Sequence, residues 1–110
     1  MNESVDVNLN NVAVAHNEEA HRFELYVNGL RAMLAYRRFP GLIVLDHTEV
    51  PQPFEGRGLA AKLAGFALDF ARSNHLRVVS LCPYVSRFIR KHPEYQDLVS
   101  PEDLQKLLFH

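Results

Sequence analysis

The feature that most constrains this chain is a change of hydrophobic period at a pair of glycines. Before Val50 the apolar residues alternate, as in half-buried strands. From Leu59 onward they recur at Leu59, Leu63, Phe66, Ala67, Phe70 and Ala71, the spacing of one helical face. The link between the two regimes reads V-P-Q-P-F-E-G-R-G-L-A, so Gly56 and Gly58 sit where a strand hands over to a helix. Glycine lets backbone N–H groups turn toward a ligand with no Cβ in the way. The first N–H groups of a helix have no partner inside it, and the helix dipole favours an anion there. No Ser, Thr, Asp or Asn adjoins either glycine to cap those donors. A pyrophosphate is one group that would satisfy them. A plain glycine turn, with Glu55 serving the helix end, is the alternative. The Walker pattern is absent, because Ala61 and Lys62 follow the glycines at the wrong spacing. The dinucleotide fingerprint is absent too, because its third glycine position holds Ala61.

The remaining patterns predict an antiparallel meander followed by a crossover. Residues 1–11 read as a tail or an irregular first strand, and residues 12–110 as a single domain. Val12 to His16 is a short alternation, ended by a turn at Asn17 to Ala20. Phe23, Leu25 and Val27 alternate against Arg22, Glu24 and Tyr26, and Asn28-Gly29 is a strong hairpin signal. Leu30, Ala32, Leu34 and Tyr36 share one side of the next strand. After Pro40-Gly41 comes a strand from Leu42 to Val50. A helix closed by Asn74-His75 then leads to a strand from Arg77 to Cys82. A strand, a helix of about four turns and a strand make a βαβ unit with the last strand parallel to its partner. Tyr84 to His92 reads as a short basic helix. The final helix starts at Ser100 as N-cap, with Pro101 first, Asp103 at the capping-box position and Val99 and Leu104 as a staple. Leu104, Leu107 and Leu108 are expected to close a core edge. The fold class is α/β.

Composition narrows the function. The chain has 110 residues, enough for one core. Twelve Lys and Arg against thirteen Asp and Glu give a net charge of −1, which argues against bulk nucleic-acid binding. One cysteine, Cys82, excludes an internal disulfide framework, and the dispersed histidines lack metal-ligand spacing. The polar, acidic start M-N-E-S-V-D-V has no apolar signal region, and no stretch approaches a membrane span. A soluble cytoplasmic domain is the expectation.

Four segments together resemble the small single-domain branch of the GNAT acetyltransferase superfamily. They are D-H-T-E-V-P (Asp46 to Pro51), F-E-G-R-G-L-A (Phe54 to Ala60), L-R-V-V-S-L-C-P-Y-V (Leu76 to Val85) and K-H-P-E-Y (Lys91 to Tyr95). The resemblance spans roughly Val12 to Val99. It implies an acetyl-CoA cofactor whose pyrophosphate sits on the glycine loop, here Glu55, Gly56, Arg57, Gly58, Leu59 and Ala60. It also implies a pantetheine arm between two splayed strands, here those ending at Val50 and Cys82. The chain departs from the wider superfamily in two ways. Pro53 stands where the loop usually begins with Gln or Arg. Only Asn17 to His21 joins the first two strands, where larger members place the helices that shape the acceptor site. A shallow acceptor site is expected, and its substrate is not carried over.

Within that frame His47 is the candidate base. Histidine titrates near neutrality, and acetyl transfer to an amine needs a group to take the ammonium proton. An ordinary strand histidine is the plain alternative, and the resemblance favours the base, because the branch has a His in the matching strand. Cys82 is the second candidate. A thiolate there could attack the thioester, or the residue could only line the pantetheine slot as a small hydrophobe. Arg87 and Lys91, with Arg57, Lys62 and Arg90 nearby in sequence, are candidate counter-charges for the phosphates, or else a solvated face. The expected activity is transfer of acetyl from acetyl-CoA to an amine on a small molecule or protein. The alternatives are a non-catalytic CoA-binding module and a protein-interaction module with a purely structural glycine loop.

Overall fold

The computed structural model describes residues 11–109. The expected tail or irregular strand at residues 1–11 lies outside them, apart from Asn11. Five strands form one sheet in the order of the chain: β1 (Ala15–Asn17), β2 (Arg22–Val27), β3 (Leu30–Phe39), β4 (Leu42–Glu49) and β5 (Arg77–Ser80). The first four run antiparallel, and β5 lies parallel to β4, as the crossover requires. Helix α1 (Leu59–Ser73) makes that crossover. Helix α2 (Pro83–Lys91), a 3-10 turn at Pro93–Leu98 and helix α3 (Pro101–Phe109) complete the chain. No helix among the described residues is long and apolar enough to cross a membrane.

The hairpin between β2 and β3 turns at Asn28 and Gly29, both with positive φ (51° and 79°). That is the geometry whose twist matches paired strands, and Asn-Gly is the pair that tolerates it. The turn fixes the register Leu25↔Ala32 and Phe23↔Leu34, so the apolar sets of both strands face the same way. Onto this face α1 lays Leu59, Leu63, Ala64, Ala67, Leu68 and Ala71, all buried. The small alanines let the helix axis approach the sheet, and the leucines fill the space beside them. Phe23, Leu34, Ile43, Leu45, Val78, Val85 and Ile89 are fully enclosed between them.

Three local expectations shift. Asn17 belongs to β1 rather than to the turn after it. The β4 ladder stops at Glu49 and β5 at Ser80, so Val50 and Cys82 lie just past their strands; Cys82 is the N-cap of α2, with Pro83 as its first residue. Leu30 and Leu108 are substantially exposed, because one sits at the hairpin tip and the other on the outer side of the last helix. The start of α3 is as expected: Ser100 Oγ accepts the Asp103 N–H at 3.2 Å.

The K-H-P-E-Y segment ties the C-terminal part to α1. Arg72 donates to both Asp97 carboxylate oxygens (2.8 and 2.9 Å) and to the Glu94 carbonyl (2.7 Å). The Tyr95 hydroxyl donates to Asp69 at 2.8 Å; burial, that bond and the nearby carboxylate push its pKa up to about 12. His92 stacks on Phe88 at 3.9 Å between ring centroids. These residues act as a clasp.

At the other end of the sheet His16 stacks on Phe23, meets Phe70 edge-on, and lies 2.6 Å from the Tyr36 hydroxyl through Nε2. The two share a hydrogen bond, which the tyrosine hydroxyl donates when the neutral imidazole carries its proton on Nδ1. Burial lowers the His16 pKa from 6.5; Glu18 raises it and Arg38 lowers it by lesser amounts. The native state therefore binds fewer protons at His16 than the unfolded chain does. Its contribution is fully present above the unfolded value of 6.5 and is lost as pH falls toward and through the depressed folded value. As pH falls from 6.5 toward the depressed folded value, melting temperature should fall more steeply in the wild type than in His16→Gln. Parallel slopes in thermal melts across this range would remove His16 as the cause.

Candidate active site at the parted strands

The site is organised by one irregularity in β4. Ala35 pairs with His47 and Tyr36 with Leu45, so Asp46 is an extra residue with no partner across the ladder. Such a bulge bends the strand and increases its twist. The parallel ladder with β5 ends at the same level: its last pair is Leu45↔Ser80, and its last backbone bond runs from the Leu81 N–H to the Leu45 carbonyl at 2.9 Å. Beyond it the two strands part. Asp46 is held outward by Arg37, whose guanidinium donates to both carboxylate oxygens (2.9 to 3.2 Å).

The bulge also decides which side chains face the helices. Leu45 lies opposite Tyr36 on the helix-covered face; after the extra residue, His47 lies opposite Ala35 on the other face, and Thr48 opposite Leu34 returns to the covered one. His47 is accordingly half exposed, with Nε2 3.3 Å from a Glu49 carboxylate oxygen. Cys82 is buried, and its sulfur shares a hydrogen bond with Thr48 Oγ1 at 3.4 Å. The two expected chemical residues thus flank the parted strands from opposite faces, each with a different partner.

A cavity of about 540 Å³ opens on the covered side, where α1 begins. Val50, Phe54, Glu55, Gly56, Gly58, Leu59, Ala60 and Ala61 line it from the loop and α1, and Tyr84 and Arg87 from α2. Seven of the expected cofactor residues, Val50, Glu55, Gly56, Gly58, Leu59, Ala60 and Arg87, are therefore brought together. Arg57 and Lys91 are not in its wall; Lys91 lies one helical turn beyond Arg87 on the same side of α2, roughly 6 Å along the axis. Arg90 is engaged elsewhere, donating to the Leu107 carbonyl at 3.0 Å. His47 and Cys82 border the parted strands and are not in the wall either.

The wall fits an anion with an apolar arm. Gly58 is the N-cap of α1, with φ 87° and no side-chain cap, and Gly56 has φ 75°. A Cβ built on either glycine meets no atom within 4 Å, so the space over this backbone is open. The uncapped N–H groups of α1 and the Arg87 guanidinium over the Tyr84 ring (5.8 Å) are donors that fit phosphate groups, and the apolar Val50, Phe54 and Leu59 fit an alkyl chain. Phe54, Ala61 and Tyr84 were missed from sequence. Tyr84 had a signal, since it lies three residues before Arg87 and so shares its side of the helix.

Comparison with known proteins agrees with this geometry. Residues 22–98 match the family model described as GCN5-related N-acetyl-transferase. The chain is 37% identical to Protein NATD1 of Bos taurus over 95 residues, covering 82% of this chain and 84% of that one. To the Homo sapiens NATD1 it is 35% identical over the same shares. An NMR solution structure of a GCN5-like protein from Staphylococcus aureus superposes with a TM-score of 0.65, at 27% identity, over 84% of this chain and 91% of that one. With the parted strands and the glycine-opened helix already in place, these matches establish that the chain belongs to the GCN5-related N-acetyltransferase family.

Proposed function

We propose that this protein binds acetyl-CoA in the cavity at the start of α1 and transfers the acetyl group to an amine that approaches from the open face of the sheet. The observation that carries the reading is the uncapped N-terminus of α1, set behind two positive-φ glycines and facing a cavity walled by Arg87. When bound, acetyl-CoA supplies a thioester-activated acetyl group. Gly56, Gly58, Leu59 and Ala60 would hold its pyrophosphate through backbone N–H groups, and Arg87 would add charge. Val50 and Phe54 would pack on the arm leading toward the parted strands.

His47 serves the acceptor. It stands on the open face, within reach of an amine arriving there, with the Glu49 carboxylate 3.3 Å from its Nε2, and it would take a proton from the incoming ammonium. The neutral amine nitrogen would then form the new bond to the acetyl carbon as the carbon–sulfur bond breaks, and the proton that nitrogen gives up would pass to the departing thiolate. A short turn at residues 18–21 is all that separates β1 from β2, so no helices rise there to build a deep acceptor pocket. That favours a small or exposed amine. The same observation supports a second reading, a CoA-binding module without turnover.

Calorimetry with acetyl-CoA tests the cavity. Gly58→Val, which places a side chain into the open space above the helix N-terminus, should abolish measurable binding, and Arg87→Glu should weaken it about tenfold, provided circular dichroism shows both folded. Undiminished affinity in both variants would sink the cradle. Release of free CoA thiol with a panel of amines tests turnover. His47→Ala should lower kcat by about a hundredfold or more while the acetyl-CoA affinity stays within about threefold. Binding without thiol release for any amine favours the module.

A further inference from the structure

The parallel register Leu45↔Ser80, carried on by two residues, would set His47 beside Cys82. The extra residue Asp46 moves β4 on by one, and Thr48 takes that place. From this we infer that Thr48 is the positioning residue of the Cys82 thiol: its hydroxyl fixes the sulfur at the mouth of the parted strands and donates to it whenever the sulfur carries negative charge. The inference rests on reading the parted strands as the acetyl-transfer site.

Three observations support it. The Thr48–Cys82 bond, at 3.4 Å, joins β4 to the second residue after β5, beyond the last backbone bond between those strands. It is a side-chain bridge where the ladder supplies none. Cys82 is pinned by its backbone as well. Its carbonyl accepts the Ser86 N–H at 3.0 Å and the Ser80 hydroxyl at 3.2 Å, and the Ser86 hydroxyl in turn donates to Ser80 at 2.8 Å. With both its carbonyl and its sulfur engaged, the residue has little freedom to turn. Finally, among the described residues the hydrogen bond given for the Cys82 sulfur is the one to Thr48; Tyr84, on α2, feels its charge, and His47 engages Glu49 on the opposite face, so the hydroxyl is the group in place to donate to the sulfur.

Hydroxyl–thiol bonds are common wherever a cysteine is buried, so the test has to separate positioning from packing. The readout is the rate of Cys82 alkylation by iodoacetamide across pH, followed by mass in the full-length protein. With a single cysteine the adduct is unambiguous. Alkylation consumes the thiolate: sulfur bonds to the reagent carbon and iodide leaves. Thr48→Val keeps the shape and removes the donor; it should slow alkylation about tenfold near neutral pH and displace the rate–pH profile upward, as loss of a hydrogen bond to a charged group requires. Thr48→Ser should restore the wild-type profile. His47→Ala should leave the profile where it is. A Thr48→Val profile that overlays the wild type, a serine variant that fails to restore it, or a Cys82 that resists alkylation in the folded wild type overturns the inference. Equal thermal melts of the two threonine variants exclude a folding defect. Because alkylation needs no acetyl-CoA, this outcome stands apart from calorimetry: a wild-type protein that does not bind acetyl-CoA refutes the proposed function, while an unmoved profile refutes only the role of Thr48.

Discussion

The arrangement of this molecule depends on one extra residue in a strand. Asp46 has no partner across the β3–β4 ladder, and the parallel ladder to β5 ends at the same level. A regular strand would continue to pair and leave no gap. The bulge bends β4 away, Arg37 secures the displaced carboxylate, and the strands part where the candidate chemistry collects. The cost is a row of backbone groups without strand partners, tolerable because this region opens toward the cavity and solvent.

A second constraint acts at right angles to the first. Helix α1 must begin close to the end of β4, because only nine residues separate Glu49 from Leu59. The loop makes a 3-10 turn at Gln52–Phe54, buries Phe54 as an anchor, and then turns through Gly56 and Gly58 into the helix. The helix N-terminus is thereby delivered beside the parted strands with its donors uncapped. Bulge and loop are thus complementary. The first opens a slot in the sheet, and the second sets a positive dipole end at its edge. Helix α2, starting from Cys82, closes the other side with Tyr84 and Arg87.

The rest of the chain keeps these parts in register. The Arg72–Asp97 pair and the Tyr95–Asp69 bond fasten the C-terminal segment over α1, and Arg90 reaches the end of α3. The pairs are exposed, so each adds little alone; their value lies in fixing geometry across elements distant in sequence. The opposite face of the sheet carries the ion pairs Arg22–Glu24, Arg37–Asp46 and His47–Glu49.

The fold was largely legible in the sequence because its signals are local. Alternation placed β2, β3 and β4, Asn28-Gly29 placed the hairpin, helical spacing from Leu59 placed α1, and Ser100 with Pro101 placed the start of α3. Each follows from backbone sterics and one-sided burial, which act over a few residues. The glycine turn into α1 was legible for the same reason: Gly56 and Gly58 have no capping neighbour, and the helix begins with no side-chain cap. The facing of His47 was not. Alternation alone sets Leu45 and His47 on one face, and nothing in L-D-H-T-E marks Asp46 as unpaired. A bulge depends on how two neighbouring strands share hydrogen bonds, and β5 arrives some thirty residues later. Only the assembled sheet, by parting there, turned His47 to the open face and set Thr48 against Cys82.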